Sequence, residues 1–490
     1  MENPAHICVE INSQARAKAL VYGGISGKYV RTNFEVAMSD RIPPALTGSL
    51  LESMPDAVAD RDRIAAALHL LDWLGCAIAG TRTEVGRAMA VAAGAIGGPL
   101  DPSGRRGPDL AWALGSFGSL LEMDDVHRSA ILHPGPVVMP AVLACCNADN
   151  AHRAPEAALR GYQAMIRLGQ SVGPSHYAHF HNTSTCGGLG AAVAAAFMLG
   201  LDRRPTQWAM AHALSMAGGL WECRNEPGAT KHLHVAEAAR RGVQAALAAA
   251  AGLAGPLHIL EGKQGFYAGL APDGNPDALL GGGPWALHET SFKPWPACRH
   301  AHPAIDAALA LRKGLADRLP EAVTVATYAD AVLFCDKPQP IDPAGARFSL
   351  QHAVAVALID GPPEMNAFEP AGLARTDLAA LRGRIKVVEN SDLTAQYPTH
   401  FGARVTLHVG TDRYEAAVAD AWGDSENPMD AAAVITKFDK LCAWAGLPVA
   451  TASALKAAAL DTVSGHGAAD LLSLLAALPS PSDMTPKDPA

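Results

Sequence analysis

Residues 120–140 read LLEMDDVHRSAILHPGPVVMP, and the reading of the chain starts from this stretch. Three acids, Glu122, Asp124 and Asp125, are followed by His127, Arg128 and His133, then by His133-Pro134-Gly135-Pro136. Apolar runs of helical character flank it on both sides. Charges this dense between two buried helices cost free energy unless they are paired or used. Pro134 and Pro136 are expected to stop any helix and force an extended or turned path. The expected result is a polar loop between two core helices, where acid, base and anion-holding groups meet. Taken alone, a solvated helix-to-helix connection explains the same residues equally well.

Outward from this stretch, residues 55–280 carry an alanine-rich helical pattern. Ile64, Leu68, Leu71, Gly75 and Ile78 recur at steps of three and four, which predicts one apolar face ending at Gly80. Further helices are expected at about 110–121, 137–148, 155–172, 187–200, 205–218 and 234–252. Small residues at so many core positions predict close helix packing. Near residue 290 the texture changes. FKPWPACRHAHP is a proline-rich loop, and Val323/Val325, Ile385/Val387 and Val405/Leu407/Val409 alternate as strands do. Gly410-Thr411-Asp412 predicts a hairpin, and Leu350 to Ile359 a helix closed by Gly361. From 428 onward the helical pattern returns.

The expected fold is therefore mainly α with a smaller α+β domain. An N-terminal extension covers 1–40, an all-helical domain is built from 41–288 and 424–478, an α+β domain over 289–423 is inserted between them, and 479–490 form a disordered tail.

The chain has 490 residues, 49% hydrophobic and 18% charged, and a net charge of −9. That balance argues against a general binder of nucleic acid or of anionic membranes. Nine scattered cysteines without a CxxC fit a reducing compartment. The first residues lack a signal-peptide core, and the longest apolar run, 187–201, is short and weak for a membrane span. A cytoplasmic location is expected.

Three more clusters could carry chemistry. Residues 176–185, HYAHFHNTST, lead into a helix whose free N–H groups can hold a carboxylate, with His181 as acid or base and Thr185 beside it. Residues 228–234, GATKHLH, place Lys231 before another helix, where it can pair with an anion or, if desolvated, act as a base. Residues 293–302 supply Lys293, Cys298, Arg299, His300 and His302. Each has a bland reading: histidines before helices often only cap, and a single cysteine is usually inert packing. No HExxH, GxGxxG after a strand or GxxxxGK[ST] occurs, so neither a metal nor a nucleotide cofactor is expected. Histidines with Lys231, Lys293 and Arg299 suit polycarboxylate chemistry, in which a proton α to a carboxylate is moved and cations steady the developing enediolate.

The blocks LDWLGCAIAGT, LEMDDVHRSAILHPG, HFHNTSTCGGLGAAVAAAFMLGL, TKHLHVAEAARRG, FKPWPACRHAHPAIDAAL, RFSLQHAVAVALIDG and GDSENPMD…ITKF resemble the MmgE/PrpD family in order and spacing, over about residues 45–475. The resemblance implies a homodimer that works without metal or organic cofactor on a small di- or tricarboxylate. It carries the family's acidic stretch onto Glu122, Asp124 and Asp125, its loop histidine onto His133, and its second histidine onto His181. Its lysines fall on Lys231 and Lys293, with Cys298 in the lysine's block. Catalysis is expected from His133, His181, Lys231, Asp124, Asp125 and Cys298, and substrate binding from Glu122, Lys293, Arg299, His300 and Thr185. The family's decarboxylases resemble DFDDT where this chain has Glu122-Met123-Asp124-Asp125-Val126, and carry histidine at Cys298. The expected reaction is accordingly a 2-methylcitrate dehydratase-like elimination. Epimerisation and decarboxylation are the alternatives, and a non-catalytic organic-acid binder or a metal-dependent hydrolase the readings outside the family.

Overall fold

The computed structural model describes residues 44–97, 107–226, 228–315 and 318–478. The expected extension over 1–40 and tail over 479–490 lie outside the described residues.

The helix Asp60–Gly80 runs through the centre of the helical part. It was expected to bury one stripe, yet from Ala66 onward it is buried almost all round, and Ile64, where the stripe begins, is exposed. The cause is a neighbour on every side: the helices Gly135–Ala144, Ala154–Ser171 and Ala431–Trp444 all pack on it. Gly75 makes the last of these approaches possible, since a Cβ there would stand 3.2 Å from the Phe438 ring. This helix has the length and hydropathy of a membrane span, but most of it is buried inside the protein. It also carries Asp72, whose Oδ1 lies 2.6 Å from Lys437 Nζ. This buried ion pair ties the central helix to the helix Ala431–Trp444, 365 residues along the chain.

The helix Asn182–Met198 packs between Ala154–Ser171 and Thr230–Ala250. Alanine and glycine permit this spacing: a Cβ on Gly242 would fall 2.3 Å from the Ala191 Cβ.

Four strands form a mixed sheet in the order β2-β1-β3-β4, with β1 Ala322–Thr327, β2 Ile385–Glu389, β3 Ala403–Val409 and β4 Asp412–Val418. β1 pairs parallel with β2 and antiparallel with β3. β3 and β4 form the expected hairpin, closed by Gly410-Thr411 with Gly410 at φ +59°. Val323, Val325, Val405 and Leu407 face one way and share a core with the helices His302–Arg312 and Leu350–Ile359. A separate cluster of Cys76, Ala79, Leu121, Met123, Met365 and Leu441 joins this part to the helical part.

Several local expectations change. Pro136 does not stop a helix; it lies in the first turn of Gly135–Ala144, where a missing N–H costs nothing, and Pro140 lies within the same helix. The helix expected to reach 121 is Pro108–Gly115, and the chain then turns tightly against the central helix. A Cβ on Gly118 would stand 2.8 Å from the Trp73 ring. Gly173–His179 is itself helical, and the next helix starts at Asn182, five residues before the expected start. His181 is therefore an N-cap residue, and Lys231 lies in the first turn of Thr230–Ala250.

Candidate active site

The acidic stretch, the start of Thr230–Ala250 and the segment after Ser291 bring four charges together. Glu122 holds a non-glycine φ of +54°, which turns it out of the preceding bends. Its carboxylate pairs with Lys231 and lies 3.7 Å from Lys293 Nζ. Asp124 Oδ1 is 3.6 Å from the same Nζ, and Asp124 Oδ2 is 3.0 Å from His133 Nδ1. Burial raises both acids' pKa, but the cations outweigh it. Glu122 is brought down to about 2 by Lys231 and Lys293, and Asp124 is held well below the carboxylate range by His133 and Lys293. Burial works against the charge on Lys231 too, and Glu122 and Asp124 overcome it, so its pKa rises.

Lys293 is the unusual member. It is 0% exposed, and its Nζ makes no hydrogen bond among the described residues. Both Asp124 carboxylate oxygens also lack a hydrogen-bond donor, because His133 Nδ1 is aimed at the Asp125 carbonyl, 2.9 Å away. Unpaired donors and acceptors stand side by side in a buried place, where each such group is costly.

Asp125 is differently placed. Its carboxylate accepts from the Gly135 N–H at 2.8 Å and the Tyr162 hydroxyl at 2.7 Å, and His69 Nδ1 lies 2.8 Å away. These contacts fasten the acidic stretch to the helices behind it. The His133 N–H donates to Thr183 Oγ1 at 3.1 Å, which links the stretch to the start of Asn182–Met198.

His181 stacks on Trp221 at 4.4 Å and tilts against His234 at 5.6 Å. Burial, then Lys231 and the neighbouring histidines, pull its pKa well down, and its Nδ1 is buried without a partner. It is a neutral ring at neutral pH. His232 is lowered to about 4 by burial and Lys231, and its Nδ1 lies 2.9 Å from Ser119 Oγ. Thr185 does not share the charged cluster. Its hydroxyl lies 2.8 Å from His176 Nε2, and His176 Nδ1 lies 2.7 Å from the Leu270 carbonyl.

The 293–302 segment divides. Cys298 lies beside Cys335, whose thiol lowers the Cys298 pKa against the effect of burial; burial and Cys298 together raise that of Cys335. Arg299 pairs with Asp424 and donates to the Trp422 and Ala421 carbonyls, each at 3.4 Å. To hold a substrate carboxylate it would have to leave these partners. His300 Nδ1 lies 2.5 Å from the Tyr328 hydroxyl, and burial with Lys293 and Lys231 lowers its pKa to about 3. His302 binds the Ala297 carbonyl through Nε2 at 3.0 Å.

His232, His300 and His302 thus each turn to a different partner: Ser119, Tyr328 and the Ala297 carbonyl. Among the described residues, His400, Asp420 and Glu426 converge closely enough to share an ion, but Arg128 already lies 2.6 Å from Asp420 and 2.5 Å from Glu426. Sequence reasoning missed Trp221, Phe348 and Tyr328. Trp221 covers His181, Phe348 lies under Lys231 with Nζ 5.3 Å from its centroid, and Tyr328 holds His300. Only their aromatic character at otherwise polar turns could have marked them.

Residues 47–279 match the MmgE/PrpD N-terminal domain, and residues 295–459 the MmgE/PrpD C-terminal domain. The chain is 26% identical to human cis-aconitate decarboxylase over 381 residues, covering 72% of this chain and 76% of that protein. A cis-aconitate decarboxylase-like protein of Aspergillus oryzae is 26% identical over 391 residues, 71% of this chain and 79% of its own. The 2-methylcitrate dehydratase of Cupriavidus necator is 30% identical over 281 residues, 54% of this chain and 53% of its own. With both domains matched in order along the chain, this protein belongs to the MmgE/PrpD family.

Proposed function

We propose that this protein is a lyase for a small tricarboxylate, and that decarboxylation of the cis-aconitate kind describes it better than the dehydration expected from sequence. Relatives named for that decarboxylation match over a larger share of the chain than the dehydratase does. The observation that carries the reading is the buried Lys293 ammonium without a hydrogen bond, beside the equally unpaired Asp124.

In this reading Lys293 and Lys231 act as cations toward substrate carboxylates. Lys231 is too firmly protonated to serve as a free base. Decarboxylation breaks one C–CO₂⁻ bond, its electron pair forms a new C=C, and the old C=C pair takes up one proton. His133 delivers that proton, and Asp124, held as an anion, supplies the counter-charge while His133 carries it. His181 stays neutral and orients the substrate by hydrogen bonding. Asp125 acts from behind by fixing His133. The working unit is a homodimer.

The hydro-lyase reading keeps one observation in its favour: the free Asp124 oxygens can accept from a substrate hydroxyl. Proton NMR in D₂O separates the two. With cis-aconitate, the proposal expects CO₂ release and one deuterium in the new methylene. Alkene signals from citrate or 2-methylcitrate, with no CO₂ from cis-aconitate, would replace it by dehydration. Silence with all three would overturn both.

A further inference from the structure

His300 is enclosed in a way that dictates which of its nitrogens carries the proton. Phe334 and Phe401 each stack parallel to the ring, with centroids 5.3 Å away and interplanar angles of 2° and 1°. Nδ1 is taken by the Tyr328 hydroxyl at 2.5 Å. With Nδ1 taken, the nitrogen left without a hydrogen bond among the described residues is Nε2.

Tyr328 is 0% exposed, and His300 is the hydrogen-bond partner of its hydroxyl among the described residues. A buried phenol that fails to donate is left with an uncompensated desolvation cost. Burial also pushes its pKa well up, so the phenol keeps its proton. The O–H must therefore point at Nδ1, and a neutral imidazole accepting there carries its own hydrogen on Nε2.

We propose that Tyr328 is a positioning residue that locks His300 as an Nε2–H donor, and that this uncharged donor binds a carboxylate oxygen of the substrate that Lys293 and Lys231 attract. The inference rests on the proposed tricarboxylate reading for what is bound, not for the locked ring. It gives the site a donor that adds no charge and gives up no proton. That matters here because the two lysines are already balanced by Glu122 and Asp124.

Two measurements test it on the full chain. In protein labelled with ¹⁵N-histidine, two-bond ¹H–¹⁵N correlations assigned by loss in His300→Gln should show Nδ1 unprotonated and Nε2 protonated, unchanged from pH 8 to 5. Tyr328→Phe should give a tautomer mixture at that ring. An Nδ1–H form in the wild type would overturn the lock, whatever the reaction turns out to be. For the donor, His300→Leu should weaken binding of the inert tricarboxylate tricarballylate by about tenfold, and lower kcat/KM by about 100-fold. His300→Gln, whose amide N–H reaches the place of Nε2, should restore most of both. Equal losses in Leu and Gln would overturn the donor role. If the wild type binds tricarballylate but turns over no tricarboxylate, the proposed reaction fails and the donor stands.

Discussion

Two groups of buried charge meet at the acidic stretch 122–125, and their lysines are held in opposite ways. In the supporting group the ammonium is hydrogen-bonded, although Asp72 Oδ2 has no partner among the described residues. Lys437 reaches Asp72 at 2.6 Å and the Met123 carbonyl at 2.5 Å, and Asp125 has three polar partners. In the other group Lys293 is as deeply buried but has two carboxylates at 3.6 and 3.7 Å and no hydrogen bond. Burial alone does not tell the two lysines apart; hydrogen bonding does. A hydrogen-bonded ammonium holds the fold, and one without such a bond is poised for a group that comes from outside.

Replacing Lys293 tests this most severely. Lys293→Met should lower kcat/KM for the tricarboxylate by about 1,000-fold. The urea midpoint should stay near that of the wild type, because Lys293 makes no hydrogen bond that would be lost, Glu122 keeps its pairing with Lys231 and Asp124 its ion contact with His133. A variant that unfolds easily but turns over normally when folded would reverse the assignment. Lys437→Met should do the opposite. It leaves Asp72 buried without its cation, so that the carboxyl, its pKa already raised to about 6 by burial, must take up a proton or stay uncompensated, a loss of about 3 kcal/mol by urea denaturation. Turnover per folded molecule should be unchanged.

The contrast also shows what the sequence revealed and where it stopped. The acidic stretch, His133, His181 and Lys231 were legible because their chemistry is local and their blocks are intact. That Asp124 and Asp125 face different partners was not legible, since neighbouring residues of one type differ only in the direction the backbone gives them. Arg299 looked free because Asp424 lies far along the chain. Thr185 looked like a substrate contact because its partner, His176, is set by the short helix Gly173–His179, which had been read as loop. The strands and their hairpin were plain from alternation. The early start of Asn182–Met198 was hidden by polar residues that usually mark loops, and that here are buried.

A third, smaller effect concerns acid. His352 belongs to the supporting part. Its Nε2 lies 2.8 Å from the Ala367 carbonyl, and burial, opposed by that bond and reinforced by Arg382, brings its pKa to about 4. Its folded pKa lies below its unfolded value, so the unfolded chain binds more protons between about pH 6.5 and 4. Stability from this group is full above pH 6.5 and is lost as the pH falls toward 4. At pH 5 the loss is about 2 kcal/mol. His352→Gln should remove that part of the fall in urea stability between pH 7 and 5. An unchanged fall would mean that this histidine is charged in the folded protein.

The smallest expected effect guards the comparison against a simpler explanation, that any lysine–carboxylate pair matters. Lys456 lies 2.8 Å from Asp439 Oδ1, a shorter contact than either of Lys293's, but the Asp439 side chain is 47% exposed. Water screens this pair and solvates either partner if the other is lost. Lys456→Met should therefore change urea stability by less than about 1 kcal/mol and leave kcat and KM alone. A loss as large as that of Lys437→Met would mean that pairing as such governs stability here. A loss of turnover would mean that the helix Val449–Leu460 acts on the site through Ala431–Trp444. The near-silent outcome leaves depth and hydrogen bonding as the two properties that separate supporting charge from charge poised for a ligand.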